Sequence, residues 1–346
     1  MRQGYDEPLL TATTNRRAAR RKPIEIALVN NMPDPAMAAT EAQFSRLLQA
    51  GAGAQAFRLR CYRLPSVPRG EATLRQLSET YETIDHLYAR GADALIVTGA
   101  EPRAAALPDE PYWRDLSRLL DWARENTMAA LWSCLAAHAA VELLDGITRR
   151  RAAQKLTGLY RFETCTGDFL MNGAGSTVLV PHSRYNGLDP VALQHRGYHI
   201  SSQSEAAGVD LFWRCEPSLF VFAQGHPEYF ANTLAREYRR DVLRYLSAPQ
   251  NPHPPIPANY FSAKTQDRLE ALRQQALRSP PPGYDEALDE ILSNEAFKSQ
   301  WDDDAVRLYR KWLAHIQQEA GLEPERDDAG AELLDGESGA EATASS

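Results

Sequence analysis

Cys134 stands where a short apolar run, Ala129-Ala130-Leu131-Trp132, gives way through Ser133 to an Ala- and Leu-rich segment of helical character. A thiol at such a strand-to-helix junction meets unpaired backbone amides and the positive end of the helix dipole. Both favour a thiolate and can hold a developing oxyanion. The plain alternative is a small side chain filling a core beside alanines. A nucleophilic thiol needs a base, and the eight histidines supply candidates. His226, in Gln224-Gly225-His226-Pro227-Glu228-Tyr229, has the most informative surroundings. Pro227 biases it toward an extended conformation, and period-two alternation then puts His226 and Glu228 on one side. A carboxylate so placed orients the imidazole and stabilises its charged form. The same segment also reads as a His-Pro turn before a helix, with Glu228 complementing the helix dipole. His182, in Pro181-His182-Ser183-Arg184-Tyr185, is the second candidate base, and His138, four residues past Cys134, reads as a helix-face residue.

Other chemistries find less support. There is no HExxH and no paired Cys or His spacing suited to zinc, so no metal is expected. Phosphate-loop and dinucleotide glycine patterns are missing too, and no bound cofactor is expected. The four cysteines, Cys61, Cys134, Cys165 and Cys215, form no CxxC pair and lack the density of a secreted disulfide scaffold.

The elements that must position these groups follow from the apolar pattern. Ile24–Val29 reads as a buried strand ending at Asn30-Asn31-Met32-Pro33, followed by a helix from Thr40 and a strand near Ala56–Leu64. Ala94–Val97 is a further strand, Tyr112–Glu125 a helix, Ala129–Trp132 a strand, and Leu135–Leu144 a helix closed at Gly146. This alternation predicts an α/β fold with a flavodoxin-like parallel sheet, whose ligands gather at the carboxyl ends of the strands. Short runs at Ser176–Val180, Val209–Trp213 and Leu219–Phe222 read as antiparallel additions to that sheet, before a helix over Tyr229–Leu246. The prolines between Pro249 and Pro257 predict an extended excursion over the surface. Peripheral helices are expected over 265–278 and 303–319.

The chain thus divides into a disordered basic arm (1–22), a main domain (23–262), a helical C-terminal extension (263–319) and a disordered acidic tail (320–346). With 346 residues, 43 % hydrophobic and 24 % charged, the composition is globular and excludes a mostly disordered chain. No window approaches the roughly 18 apolar residues of a membrane span, and a soluble cytoplasmic protein with no membrane partner is expected. A net charge of −8 argues against a body-wide nucleic-acid surface, despite the local arm of Arg16, Arg17, Arg20, Arg21 and Lys22.

The order of Cys, then distant His-x-Glu, resembles the class I glutamine amidotransferase fold. Several stretches resemble one branch of it, the homoserine O-succinyltransferase family of methionine biosynthesis. These are Asn30-Asn31-Met32-Pro33, Thr40-Glu41-Ala42-Gln43-Phe44, Leu95–Ala100 with Tyr112-Trp113, Cys134 and Lys155–Tyr160. Pro181–Tyr185, Gly225–Tyr229, Arg240-Asp241 and Asn259-Tyr260-Phe261 follow in the same order, so that the resemblance spans residues 24–261.

The resemblance implies an acyl transfer in two steps. Cys134 takes the acyl group from acyl-CoA, and His226, oriented by Glu228, deprotonates the homoserine hydroxyl for attack on the acyl-enzyme. It further implies the Leu135 amide in the oxyanion hole, Arg240 at the amino acid's carboxylate, and Lys155, Ser183 and Arg184 at the substrate pocket. The family position associated with acyl choice, glycine for succinyl and glutamate for acetyl, is Arg103 here. Its charge suits the free carboxylate of a succinyl group and gains nothing from acetyl. After Met32-Pro33 the sequence Asp34-Pro35-Ala36-Met37 replaces the family's lysines. No resemblance is legible past Phe261. Succinyl-CoA and homoserine are therefore the expected substrates, with acetyl-CoA or a different hydroxy amino acid such as serine as alternatives. A glutaminase and a non-catalytic regulatory homologue are further readings. Family members are commonly dimers, so a homodimer stays open.

Overall fold

The computed structural model describes residues 22–215, 217–248, 252–278 and 282–321. The basic arm before Lys22 and the acidic tail after Gly321 lie outside these residues. The first half of the chain comprises β1 (Ile24–Val29), α1 (Met37–Ala52), β2 (Phe57–Arg63), α2 (Glu71–Thr80), β3 (Glu82–Thr83), α3 (Ile84–Arg90), β4 (Ala94–Val97), α4 (Trp113–Asn126), β5 (Ala129–Ser133) and α5 (Leu135–Asp145). Then follow β6 (Arg150–Thr164), β7 (Thr177–Gly187), α6 (Pro190–His195), β8 (His199–Ile200), β9 (Ser202–Ser204), β10 (Gly208–Val209), β11 (Leu211–Cys215) and β12 (Leu219–Ala223). Four helices end the described chain: α7 (Thr233–Ser247), α8 (Ala263–Arg278), α9 (Tyr284–Ser293) and α10 (Asp302–Glu319).

The main sheet runs β3-β2-β1-β4-β5-β12-β11-β8. Strands β3 to β12 in that order are parallel, and the sequence β2-β1-β4-β5-β12 is the flavodoxin-like winding the alternation predicts. β11 and β8 extend one edge antiparallel. Leu219–Phe222, expected among the antiparallel additions, instead lies parallel to β5 inside the sheet. All five residues of β12 are buried, as a strand covered on both faces requires. α4 and α5 cover one face of the sheet, and α1 and α10 the other.

A second sheet, β10-β9-β6-β7, is separate from the first and is built on the long β6–β7 hairpin. Gly158 in β6 has φ +135°, and a Cβ there would stand 2.2 Å from the Ala258 carbonyl oxygen. Only glycine allows this contact, in which Ala258 donates to the Thr157 carbonyl and accepts from the Leu159 amide. The proline-rich stretch is therefore pinned at its end to β6 rather than wandering over the surface.

α10 corrects the expectation of a peripheral helix. Trp301, Tyr309, Trp312 and Ile316 are at most 1 % exposed, and they share one core with Phe44 and Leu47 of α1 and Ile26, Leu28, Ile96 and Leu131 of the sheet. The helical spacing of the apolar residues was plain, but which surface they cover depends on the tertiary path. α8 and α9 pack on α7 in a smaller cluster. Among the described residues no helix is long and apolar enough to cross a membrane.

Candidate active site

The loops after β1, β4, β5 and β12 open into one cavity of about 560 Å³, which Met32, Thr98, Gly99, Cys134, Leu135, His226 and Glu228 help to line. This is where an open parallel sheet collects ligands. Cys134 joins β5 directly to α5 with φ 53° and ψ −112°, a strained conformation for a side chain bearing a Cβ. Its amide donates to the Ala223 carbonyl at the end of β12, which anchors the turn to the neighbouring strand. Leu135 opens α5, so its N–H belongs to the first turn, where amides have no partner within the helix. A Cβ on Gly99 would come within 3.1 Å of the Leu135 nitrogen. The glycine thus keeps the approach to that amide clear.

His226 follows β12, and its amide donates to the Pro181 carbonyl. Its Nδ1 lies 2.8 Å from Glu228 Oε1, so the carboxylate accepts the Nδ1 proton and Nε2 is left to serve the facing Cys134. The ring stacks on Tyr229 with centroids 4.3 Å apart. His226 and Glu228 are both buried. Burial opposes a charged imidazole, yet the facing Glu228 and Cys134 outweigh it and hold His226 well above its ordinary value. Cys61, by contrast, is pushed up to about 12 by burial and the adjacent Glu41, as befits an inert thiol.

The opposite wall is a charged stripe of α7. Glu237, Arg240, Asp241 and Arg244 all line the cavity. Lys155, carried by β6, bonds Asp241 Oδ2 at 2.6 Å, and Arg240 bonds Asp241 Oδ1 at 2.9 Å. Burial would raise the Asp241 carboxyl, but Lys155 and Arg240 more than offset it and hold it below its usual range. Arg244 pairs with Glu101 at 2.8 Å. Glu237 Oε1 accepts from Tyr229 at 3.0 Å while its buried Oε2 has no hydrogen-bond partner in the protein. The sequence reading missed Glu237 and Arg244 and gave Asp241 no role beyond the Arg240-Asp241 match, although charges at spacings of three and four on a helix were the signal. Pro252 and Pro254 complete the wall.

Ser183 lines the cavity, but Arg184 and His182 do not. In β7 alternate side chains point to opposite faces, so Ser183 turns inward while its neighbours turn away. Arg184 gives its guanidinium to His182 Nδ1 at 3.1 Å and to the carbonyls of Asn186 and Ala207. It is a buried group that does not line the cavity holding Cys134. His182, the second candidate base, is fully buried against Phe162 with Nε2 3.3 Å from Asp210 Oδ1. His138 lies on α5 and bonds the Gln224 side chain at 2.8 Å. Arg103 lines an adjoining cavity of about 680 Å³ that shares Pro33, Ala100, Glu101 and Pro102 with the first. Asp34 is there too and is bonded by Arg69 at 3.1 Å. Among the described residues no cluster of His, Cys, Asp and Glu is placed to hold a metal.

The sequence profile of the homoserine O-succinyltransferase family matches residues 6–322, which includes the C-terminal helices where no resemblance was legible. A homoserine O-succinyltransferase of Bradyrhizobium japonicum is 48 % identical over 318 residues, covering 89 % of this chain and 94 % of that one. One from Rhodopseudomonas palustris is 45 % identical over 303 residues, covering 88 % and 91 %. A glutamine amidotransferase structure from Methylobacillus flagellatus aligns with 89 % of this chain and 98 % of its own at 14 % identity and TM-score 0.46. The matches in sequence run through every loop that builds the cavity, and the chain belongs to the homoserine O-succinyltransferase family.

Proposed function

We propose that the protein transfers a succinyl group from succinyl-CoA to the hydroxyl of L-homoserine, a step of methionine biosynthesis, through a thioester on Cys134. The observation that carries this reading is the strained Cys134 turn facing a buried His226–Glu228 pair in a cavity with a charged far wall. His226 takes the thiol proton as sulfur attacks the thioester carbonyl. The oxyanion rests against the Leu135 amide, and CoA leaves as its thiol with the proton from His226. In the second half, His226 removes the homoserine hydroxyl proton while that oxygen attacks the acyl-enzyme. Cys134 then leaves and regains its proton from His226. A thioester is exchanged for a thioester and then for an ester, so neither a metal nor ATP is needed.

Homoserine is a zwitterion, and the far wall offers both complements. Arg240 suits its carboxylate, and the unpartnered Oε2 of Glu237 suits its ammonium. Lys155 and Asp241 hold Arg240 in place, and Ser183 offers a hydroxyl to the acceptor. The free succinyl carboxylate is assigned to Arg103 across the shared wall of Ala100 and Pro102.

Product analysis with homoserine and either succinyl-CoA or acetyl-CoA tests the reading. The expected product is O-succinylhomoserine, with kcat/KM for succinyl-CoA at least about tenfold above that for acetyl-CoA, a gap that narrows in Arg103→Ala. Acetyl preference would overturn the donor assignment, and transfer to neither would overturn the reaction.

A further inference from the structure

We infer that Arg151, held over the Tyr185 ring at the mouth of the cavity, binds the phosphates at the nucleotide end of the acyl-CoA donor. This rests on the acyl-CoA reading above and adds to it the place where the donor is gripped.

The β6–β7 hairpin is broken at one point. Arg151 pairs with Asn186 and Leu156 with Arg184, so four residues, 152–155, stand opposite Tyr185 alone. This bulge turns Lys155 into the cavity and leaves Arg151 at its outer edge with Tyr185. The Arg151 guanidinium carbon sits 4.7 Å from the Tyr185 ring centre, a cation–π contact that steadies the side chain and leaves its N–H edge available. Both residues are exposed.

The other cations of the lining are already committed. Lys155 is paired with Asp241, Arg240 with Asp241 and Glu237, and Arg244 with Glu101. Neighbouring Arg150 is paired with Asp189 at 2.8 Å. Arg151 has no carboxylate within ion-pair distance among the described residues. Arg149, just before β6, is held below its ordinary value first by burial and also by the like charge of Arg151, so it does not neutralise Arg151.

Such a charge fits a polyanion. The thioester must reach Cys134 inside the cavity, whereas the nucleotide phosphates are too costly to bury unpaired and must stay near water. The pantetheine arm then spans the cavity and delivers the phosphates to its mouth. On a protein of net charge −8, a donor of several negative charges needs a local cation, and a guanidinium fork matches phosphate oxygens.

The test compares Arg151→Gln with the unsubstituted protein on two donors, succinyl-CoA and the succinyl thioester of N-acetylcysteamine, which carries no phosphate. We expect KM for succinyl-CoA to rise about 10- to 100-fold, with kcat and kcat/KM for homoserine unchanged and the short donor used equally by both proteins. Arg151→Lys should recover part of the loss. Equal impairment with both donors, or no change with succinyl-CoA, would overturn the assignment. If the unsubstituted protein turned over neither donor, the acyl-CoA reading itself would fall and this inference with it.

Discussion

His182 and Asp210 face each other behind the active site, with imidazole Nε2 3.3 Å from carboxylate Oδ1, and that same oxygen accepts the Gly225 amide at 2.8 Å. Arg184 donates to His182 Nδ1, which fixes the neutral tautomer with its proton on Nε2, the nitrogen nearer Asp210. Gly225 immediately precedes His226, so this buried pair sets the position of the loop that carries the base. Gln224 is tied on both sides as well, to the Val209 carbonyl at 2.6 Å and to His138 at 2.8 Å.

Gly225→Ala should therefore displace the base. A Cβ there would lie 2.6 Å from Asp210 Oδ1 and 2.8 Å from His182 Nε2, neither of which can yield in a packed interior. We expect kcat to fall by about 100-fold or more, since misplacement by about 1 Å is enough for such losses. KM for homoserine, set on α7, should change little. Steady-state kinetics with circular dichroism as a check on folding would measure this.

Buried neutral histidines also set a pH dependence of stability. Burial lowers His138 to about 3 and His182 to about 4. The unfolded chain binds these protons near pH 6.5 and the folded one only far below, so stability falls as pH drops from about 6.5 toward 4. His226, raised in the folded state, acts oppositely, and its contribution is lost as pH rises above its unfolded value. Denaturant midpoints measured between pH 5 and 6.5, above the range of most carboxylates, should decline with acidity. The decline should be shallower in His182→Gln.

The C-terminal helix should behave as core. Trp312 is fully buried between α1 and the sheet, and Trp312→Ala should destabilise the protein by about 3–5 kcal/mol. A peripheral helix would give less than about 1 kcal/mol by the same denaturation measurement.

The far wall should govern the acceptor and not the donor. Arg240→Lys loses the planar fork, and Glu237→Gln loses the charge facing the ammonium. Each should raise KM for homoserine roughly 10- to 100-fold and leave the rate of Cys134 acylation intact, as single-turnover release of CoA would show.

The parallel sheet and its reactive loops were legible because local rules suffice there. Apolar runs at Ile24–Val29, Ala94–Val97 and Ala129–Trp132 are buried strands by composition alone, and Cys134 directly follows one strand while His226 stands three residues past another. What stayed hidden depends on partners distant in sequence. Arg184 and Ser183 are adjacent, and only the pleat of β7 decides that one faces the cavity and the other the interior. The pairing of β12 with β5, the docking of Ala258 on Gly158 and the burial of α10 on α1 are each settled by tertiary packing that periodicity does not encode. Glu237 lay within reach of a helical-wheel reading, but its meaning emerges only once Tyr229 and Arg240 stand beside it.

The most direct test of the account is intact-protein mass spectrometry after brief mixing with succinyl-CoA, followed by addition of homoserine, with Cys134→Ala in parallel. The expected result is a gain of one succinyl group in the unsubstituted protein only, discharged by homoserine to O-succinylhomoserine. No adduct, or an equal adduct in Cys134→Ala, would contradict a Cys134 thioester.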